Sequence, residues 1–286
     1  MEENLTNLRL AVLIDAENVP KSCIKSVMEE IAIYGSPTIK RIYGDWTNPS
    51  ISGWKYSLLE NAITPIQQYS YTQGKNSSDS AMIIDAMDIL YTEKTDGFVI
   101  VSSDSDFTRL AIRLREAGQR VIGVGEKKTP PPFIAACDKF TYIEVIRANE
   151  VGRQDEPVSA SPAAAAIAAM GSAPRPVPNK DVKENRDMKD TVYYVEPPAH
   201  GARQKVPDDI IQLIADSLAD LSDDDAGVFM GELGNLLRRK KPDFDCRNYS
   251  YNNLSSLIKS IDRFDIDFRQ TSDPNIKHPY VKDKEA

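Results

Sequence analysis

The chain has 286 residues, 41% of them hydrophobic, and carries 43 acidic side chains against 35 basic ones for a net charge of −8. That length buries at least one full core and suggests two domains. The acidic balance excludes a protein that holds nucleic acid by bulk electrostatics, so any such contact must be local. Three scattered cysteines (Cys23, Cys137, Cys246) and two histidines (His200, His278) do not supply a disulfide framework, a zinc cage or a histidine-based active site. No apolar run is long enough to span a bilayer and the start lacks a signal-peptide pattern, so a cytoplasmic chain with no membrane partner is expected.

Arg9-Leu-Ala-Val-Leu-Ile14 is an apolar run ending at Asp15-Ala16-Glu17-Asn18, and Pro20 then suits the first turn of a helix with Ile24, Val27, Met28 and Ile31 on one face. Thr38 to Gly44 reads as a second strand that runs into Asp45-Trp46 and an aromatic loop carrying Trp54 and Tyr56. A short helix from Leu58 leads to a third strand, Thr64 to Tyr69, placed near the sheet edge because Pro65 cannot donate to a ladder. Gly74 to Asp79 is a capping stretch ahead of a helix over Ala81 to Tyr91. Gly97-Phe-Val-Ile-Val101 has the continuous apolar character of a buried parallel strand and breaks into Ser102-Ser-Asp-Ser-Asp106. A helix follows with Phe107, Leu110 and Leu114 until Gly118, then a fifth strand at Arg120 to Gly125 and a sixth at Phe140 to Glu144. Strands alternating with helices predict an α/β fold with a doubly wound, mainly parallel sheet over residues 1–150.

Residues 151–205 are rich in Ala, Pro and mixed charge and read as a flexible linker, about 40 Å in span as a coil. Within it, Ala163 to Met170 could form a brief helix and Tyr193-Tyr-Val195 could dock. Residues 206–286 regain regularity: helices from Pro207, from Val228 to Arg239 and from Tyr249 to Ile261, then a hairpin of Phe264 to Phe268 and Tyr280-Val281 across a turn at Asp273-Pro274. That is a small winged-helix pattern.

The open carboxyl ends of parallel strands are where such sheets place their sites. Asp15, Asp79, Asp104 and Asp106 would converge there, and like charges so close repel unless a cation relieves them. Mg²⁺ or Mn²⁺ takes hard oxygen ligands, so these carboxylates with the amide of Asn18 suit either ion. Each Asp alone is more often a turn or helix cap than a ligand. Asp45 is a loop acid and Asp85 a candidate buried partner. Magnesium phosphatases usually carry Asp-x-Asp directly after strand one, where this chain has Asp15-Ala-Glu-Asn18.

Leu13-Ile-Asp-Ala-Glu-Asn18, Lys75-Asn-Ser-Ser-Asp79 with Asp85 six residues on, and Ser102-Ser-Asp-Ser-Asp-Phe107 together resemble the three motifs of NYN domains, the LabA-like branch of the PIN-like nucleases, over roughly residues 8–146. The resemblance implies a PIN-like fold and Mg²⁺- or Mn²⁺-dependent, endonucleolytic hydrolysis of RNA. It implies Asp15, Asp79 and Asp104 as the main metal-binding carboxylates, Asp106 as completing the set, and Asn18 as positioning metal or phosphate. Many relatives carry Lys-Gly and one residue before the middle Asp, a spacing this chain lacks. Lys75 and Arg109 flank the acids and are candidates for RNA phosphates, while Trp46, Trp54 and Tyr56 either stack on unpaired bases or pack on the sheet edge.

Met230 to Asp245, Tyr249 to Ile258 and Phe264-Asp-Ile266 resemble the LOTUS, or OST-HTH, domain over about residues 206–284, which implies a winged-helix module contacting RNA or a protein partner. Arg238, Arg239, Lys240 and Lys241, followed by Arg247 and Lys259, are its RNA-contact candidates; basic residues also suit a helix C-terminus. The whole reads as a metal-dependent ribonuclease acting on single-stranded RNA, with a tethered RNA- or partner-binding module. The rival reading is a non-catalytic adaptor that binds RNA or a partner without cutting.

Overall fold

The computed structural model describes residues 8–69, 77–92, 94–154, 205–222, 227–270 and 277–285. The described residues of 1–152 and 203–286 belong to one compact unit. The proposed linker lies outside the described residues except at its ends, as do Lys75, the Ala163 to Met170 and Tyr193 to Val195 segments and the Asp273-Pro274 turn.

Six strands form the first sheet: β1 (Arg9–Asp15), β2 (Ser36–Gly44), β3 (Thr64–Gln67), β4 (Gly97–Val101), β5 (Arg120–Gly125) and β6 (Lys139–Tyr142). Every pairing is parallel, and the order is β3-β2-β1-β4-β5-β6. The inner strands β1 and β4 are the continuous apolar runs that parallel pairing with two covered faces demands. β3, with Pro65, forms one edge and β6 the other.

Alternate residues supply two cores. Leu10, Val12, Ile14, Val99 and Val101 pack with residues of α1 (Ile24–Ala32), α2 (Lys55–Asn61) and α6 (Ile143–Gln154). Ala11, Leu13, Phe98 and Ile100 pack with α3 (Ser77–Thr92), α4 (Thr108–Glu116) and α5 (Pro131–Ala136). The result is a three-layer, PIN-like α/β fold. Because strands are added outward on either side of β1 and β4, the chain reverses its direction of winding between them, which opens a crevice at their carboxyl ends.

In this first region two elements differ from the sequence reading. Pro131 and Pro132 start α5, since proline's missing N–H costs nothing in a first turn. After β6 the chain turns helical at Ile143, so Glu144 belongs to α6 rather than to the strand.

The second region comprises α7 (Asp208–Leu221), β7 (Val228–Phe229), α8 (Met230–Lys240), α9 (Leu254–Lys259), β8 (Phe264–Gln270) and β9 (Lys277–Asp283) around its own apolar core. Val228 and Phe229, expected to open a helix, instead pair with Val281 and Tyr280 as the third strand of an antiparallel sheet. The helix expected from Tyr249 is split. Cys246–Tyr249 forms a 3₁₀ turn, Ser250 adopts a left-handed φ of 66°, and Asn253 caps α9 by accepting from Ser256 N at 2.8 Å.

Candidate metal centre

The crevice at the ends of β1 and β4 is acidic. Asp15, the last residue of β1, is 1% exposed and fully engaged. Its Oδ2 accepts from Asn18 Nδ2 at 2.6 Å and from the buried Ser102 Oγ at 2.9 Å, and its Oδ1 accepts from Glu17 N at 3.0 Å. Ser102 Oγ in turn accepts from Asp104 N at 3.1 Å. This one hydroxyl therefore ties the mouth of β1 to the mouth of β4. Close backbone approach supports the arrangement: a Cβ on Gly125 would meet Ser102 O at 2.6 Å.

Asp104 caps the turn before α4, accepting from Asp106 N at 2.9 Å. The ordinary capping role is thus real, and it also aims the carboxyl group into the crevice. Asp79, in the first turn of α3 and 7% exposed, lies across from it. Asp79, Asp104 and Asp106 can each offer a carboxylate oxygen within 4.8 Å of the others. Burial pushes the Asp79 carboxyl up to about 7, and the charges of Asp15, Asp104, Asp106 and Glu17 add to the shift. Glu17 is also raised, by burial first and then by Asp15 and Asp45.

The structure therefore brings Asp79, Asp104 and Asp106 together, with Asp15 and Asn18 bonded to each other beside them. Ser102 and Glu17 are contributors that the motif reading passes over; the signal for Ser102 is a hydroxyl at a strand end directly before the acids. Arg109 is exposed in the first turn of α4.

Other candidates have different surroundings. Asp85 pairs with Arg41 and accepts from Tyr43 Oη, so it is a structural partner in the layer below. Trp54 belongs to the core, and Trp46 packs against it while donating Nε1 to Ile66 O at 2.9 Å; Tyr56 alone of the three stays exposed, at 77%. In the second region, Lys240 pairs with Asp220 at 2.6 Å, Lys241 with Asp243 at 3.5 Å, and Arg238 donates to Asn235 Oδ1 at 2.9 Å. Arg239 is exposed. Arg247 is largely withdrawn from solvent in ion pairs with Glu30 and Asp245.

A parallel α/β layer with a carboxylate cluster at its switch point defines a class of acidic-cleft α/β proteins. Within it, residues 9–144 match the NYN domain and residues 204–276 match the OST-HTH/LOTUS domain, so the chain carries an NYN domain, a member of the PIN-like nuclease superfamily, followed by an OST-HTH/LOTUS domain. Among solved structures, a protein of unknown function from Vibrio parahaemolyticus is 18% identical with a TM-score of 0.41, covering 49% of this chain and 94% of its own. An uncharacterized protein from Nitrosomonas europaea is 29% identical with a TM-score of 0.26, covering 34% of this chain and 92% of its own. No curated protein matches the chain. No helix among the described residues is long and apolar enough to cross a membrane.

Proposed function

We propose that the chain is a metal-dependent ribonuclease that hydrolyses phosphodiester bonds of single-stranded RNA at the Asp79, Asp104 and Asp106 cluster. The observation that carries this reading is the convergence of the cluster: three carboxylates that can each offer an oxygen within 4.8 Å of the others, with Asp79 pushed up to about 7. Hard oxygen donors in mutual repulsion fit Mg²⁺ or Mn²⁺. Asp79, Asp104 and Asp106 would hold the ion, with Asp15 adjoining. When bound, such an ion activates water and stabilises charge on the leaving oxygen.

The chain's own residues supply position. Asn18 and Ser102 fix the Asp15 carboxylate, and the cap at Asp106 N fixes Asp104, so the donors need little reorganisation. Arg109, and Lys75 on the approach to α3, receive flanking phosphates. The OST-HTH/LOTUS domain supplies further contact to RNA or to a protein partner. Its Arg239 is exposed, and the ion pairs of Lys240 and Lys241 are of the surface kind, worth about 0–1 kcal/mol and easily exchanged for phosphate.

The test is cleavage of a 5′-labelled single-stranded RNA in Mn²⁺, Mg²⁺ or EDTA, comparing wild type with Asp104→Asn. Cutting should require the metal and disappear in the variant. If wild type binds RNA yet cuts none in any metal, the reading fails and the adaptor role replaces it.

A further inference from the structure

The stretch joining α8 to α9 does more than connect two helices. Pro242 O accepts the backbone N–H of Phe140 at 2.9 Å, Asp243 Oδ2 accepts from Tyr142 Oη at 2.8 Å, and Arg247 reaches Glu30 on α1. All three partners belong to the NYN domain. Phe140 and Tyr142 lie on β6, the outer strand of the sheet, whose outward N–H groups would otherwise be an open edge.

The Arg247 contact has the geometry of a latch. Its Nη1 donates to Glu30 Oε2 at 2.9 Å and its Nη2 to Glu30 Oε1 at 2.7 Å, a two-pronged pairing that fixes orientation as well as charge. Asp245 braces the same guanidinium through Nε at 3.0 Å and Nη2 at 2.6 Å. Tyr34 Oη donates to Glu30 Oε1 at 2.5 Å, so both oxygens of this acid are engaged; its side chain is only 7% exposed. The Lys139 ammonium sits 4.6 Å from the centre of the Tyr34 ring and adds positive charge beside Glu30 and Asp245.

We propose that the OST-HTH/LOTUS domain is a docked, integral part of the NYN body, held on the β6 edge of its own chain by the Arg247–Glu30 latch, and not a module that swings on a tether. Arg247 is then a docking residue and is unavailable for RNA. Any RNA gripped by this domain is held at a fixed distance from the acidic crevice, so the two act as one rigid tool.

The experiment begins with the full chain carrying a site-specific protease site within residues 156–203. After cutting, the two pieces are passed over a sizing column at about 1 µM, a concentration that separates complexes weaker than about −8 kcal/mol. The pieces should co-elute at the mass of one chain. Glu30→Arg, which sets like charge against Arg247 and Lys139, should separate them, and the charge exchange Glu30→Arg with Arg247→Glu should restore co-elution at least in part. Tyr142→Phe, a change that spares the NYN fold, should weaken association about 3- to 10-fold. The proposal is overturned if the wild-type pieces separate, if Glu30→Arg leaves them together, or if the cut species contains two copies of each half.

Discussion

One cluster of charge sits beside the edge strand β6 and helix α1, the other at the carboxyl ends of the central strands β1 and β4, and they are built on opposite logic. At the latch on β6 and α1, Glu30 and Asp245 face Arg247, and every charge finds its opposite. Burial works to raise both acids, yet Arg247, joined by Lys139 and, at Glu30, by the Tyr34 hydroxyl, outweighs it and lowers each carboxyl, while the Arg247 pKa rises, chiefly through its bond to Glu30. At the crevice, acid faces acid, and burial together with neighbouring carboxylates lifts Asp79 to about 7. One cluster is finished by its own chain. The other gathers three carboxylates within 4.8 Å of one another, and that convergence is what separates a site suited to a cation from a site built to hold a fold together.

The largest expected effect is on chemistry. Asp104→Asn keeps the cap to Asp106 N but removes a charge from the crevice, and RNA cleavage should fall by about 100-fold or more while thermal stability holds, as single-turnover assays and melting curves would show. Breaking the other cluster should do the reverse. Glu30→Ala strands Arg247 with Asp245 alone and should lower unfolding stability by about 1–3 kcal/mol in urea titrations, with the acidic crevice untouched. Because the folded pKa values of Glu30 and Asp245 lie below their unfolded values, this contribution is complete above about pH 5 and is lost as pH falls through the folded values.

Asp79→Asn should carry the opposite sign. Below about pH 4 the carboxyl is neutral in both states; between about 4 and 7 the folded chain keeps a proton the unfolded chain has lost, so stability declines with rising pH and stays reduced above 7. Metal-free Asp79→Asn at pH 8 should therefore be more stable than wild type by about 1–2 kcal/mol, a gain that shrinks towards pH 4 in the same titrations. The smallest effect belongs to the acid that the motif groups with the site but the fold pairs elsewhere. Asp85→Asn should cost about 1 kcal/mol through its weakened pairing with Arg41 and Tyr43, with cleavage rates kept within about 3-fold.

The crevice was legible in the sequence because each part of it is local. Apolar runs ending abruptly at Asp15 and at Ser102-Ser-Asp104 mark strand mouths, and Asp79 stands at a recognisable helix start, so a doubly wound sheet brings them near one another. What the pattern could not say was how the acids divide: Asp15 is absorbed by Asn18 and Ser102, whereas Asp106 joins Asp79 and Asp104. The latch left no local trace. Glu30 and Arg247 are 217 positions apart, and each looks like an ordinary charge on a helix or a loop. The same blindness explains α5 and the split before α9, where a proline-rich stretch and a left-handed serine were settled by backbone geometry that apolar spacing does not encode.

Whether the crevice acids, and not those of the latch, take a cation is read by titrating metal-free protein with Mn²⁺ in a calorimeter at pH 7.5, wild type beside Asp79→Asn and Glu30→Ala. Wild type and Glu30→Ala should both bind, and Asp79→Asn should bind more weakly by about 10-fold or more. No binding to wild type at millimolar Mn²⁺, or equal binding by Asp79→Asn, would contradict a cation site in the crevice.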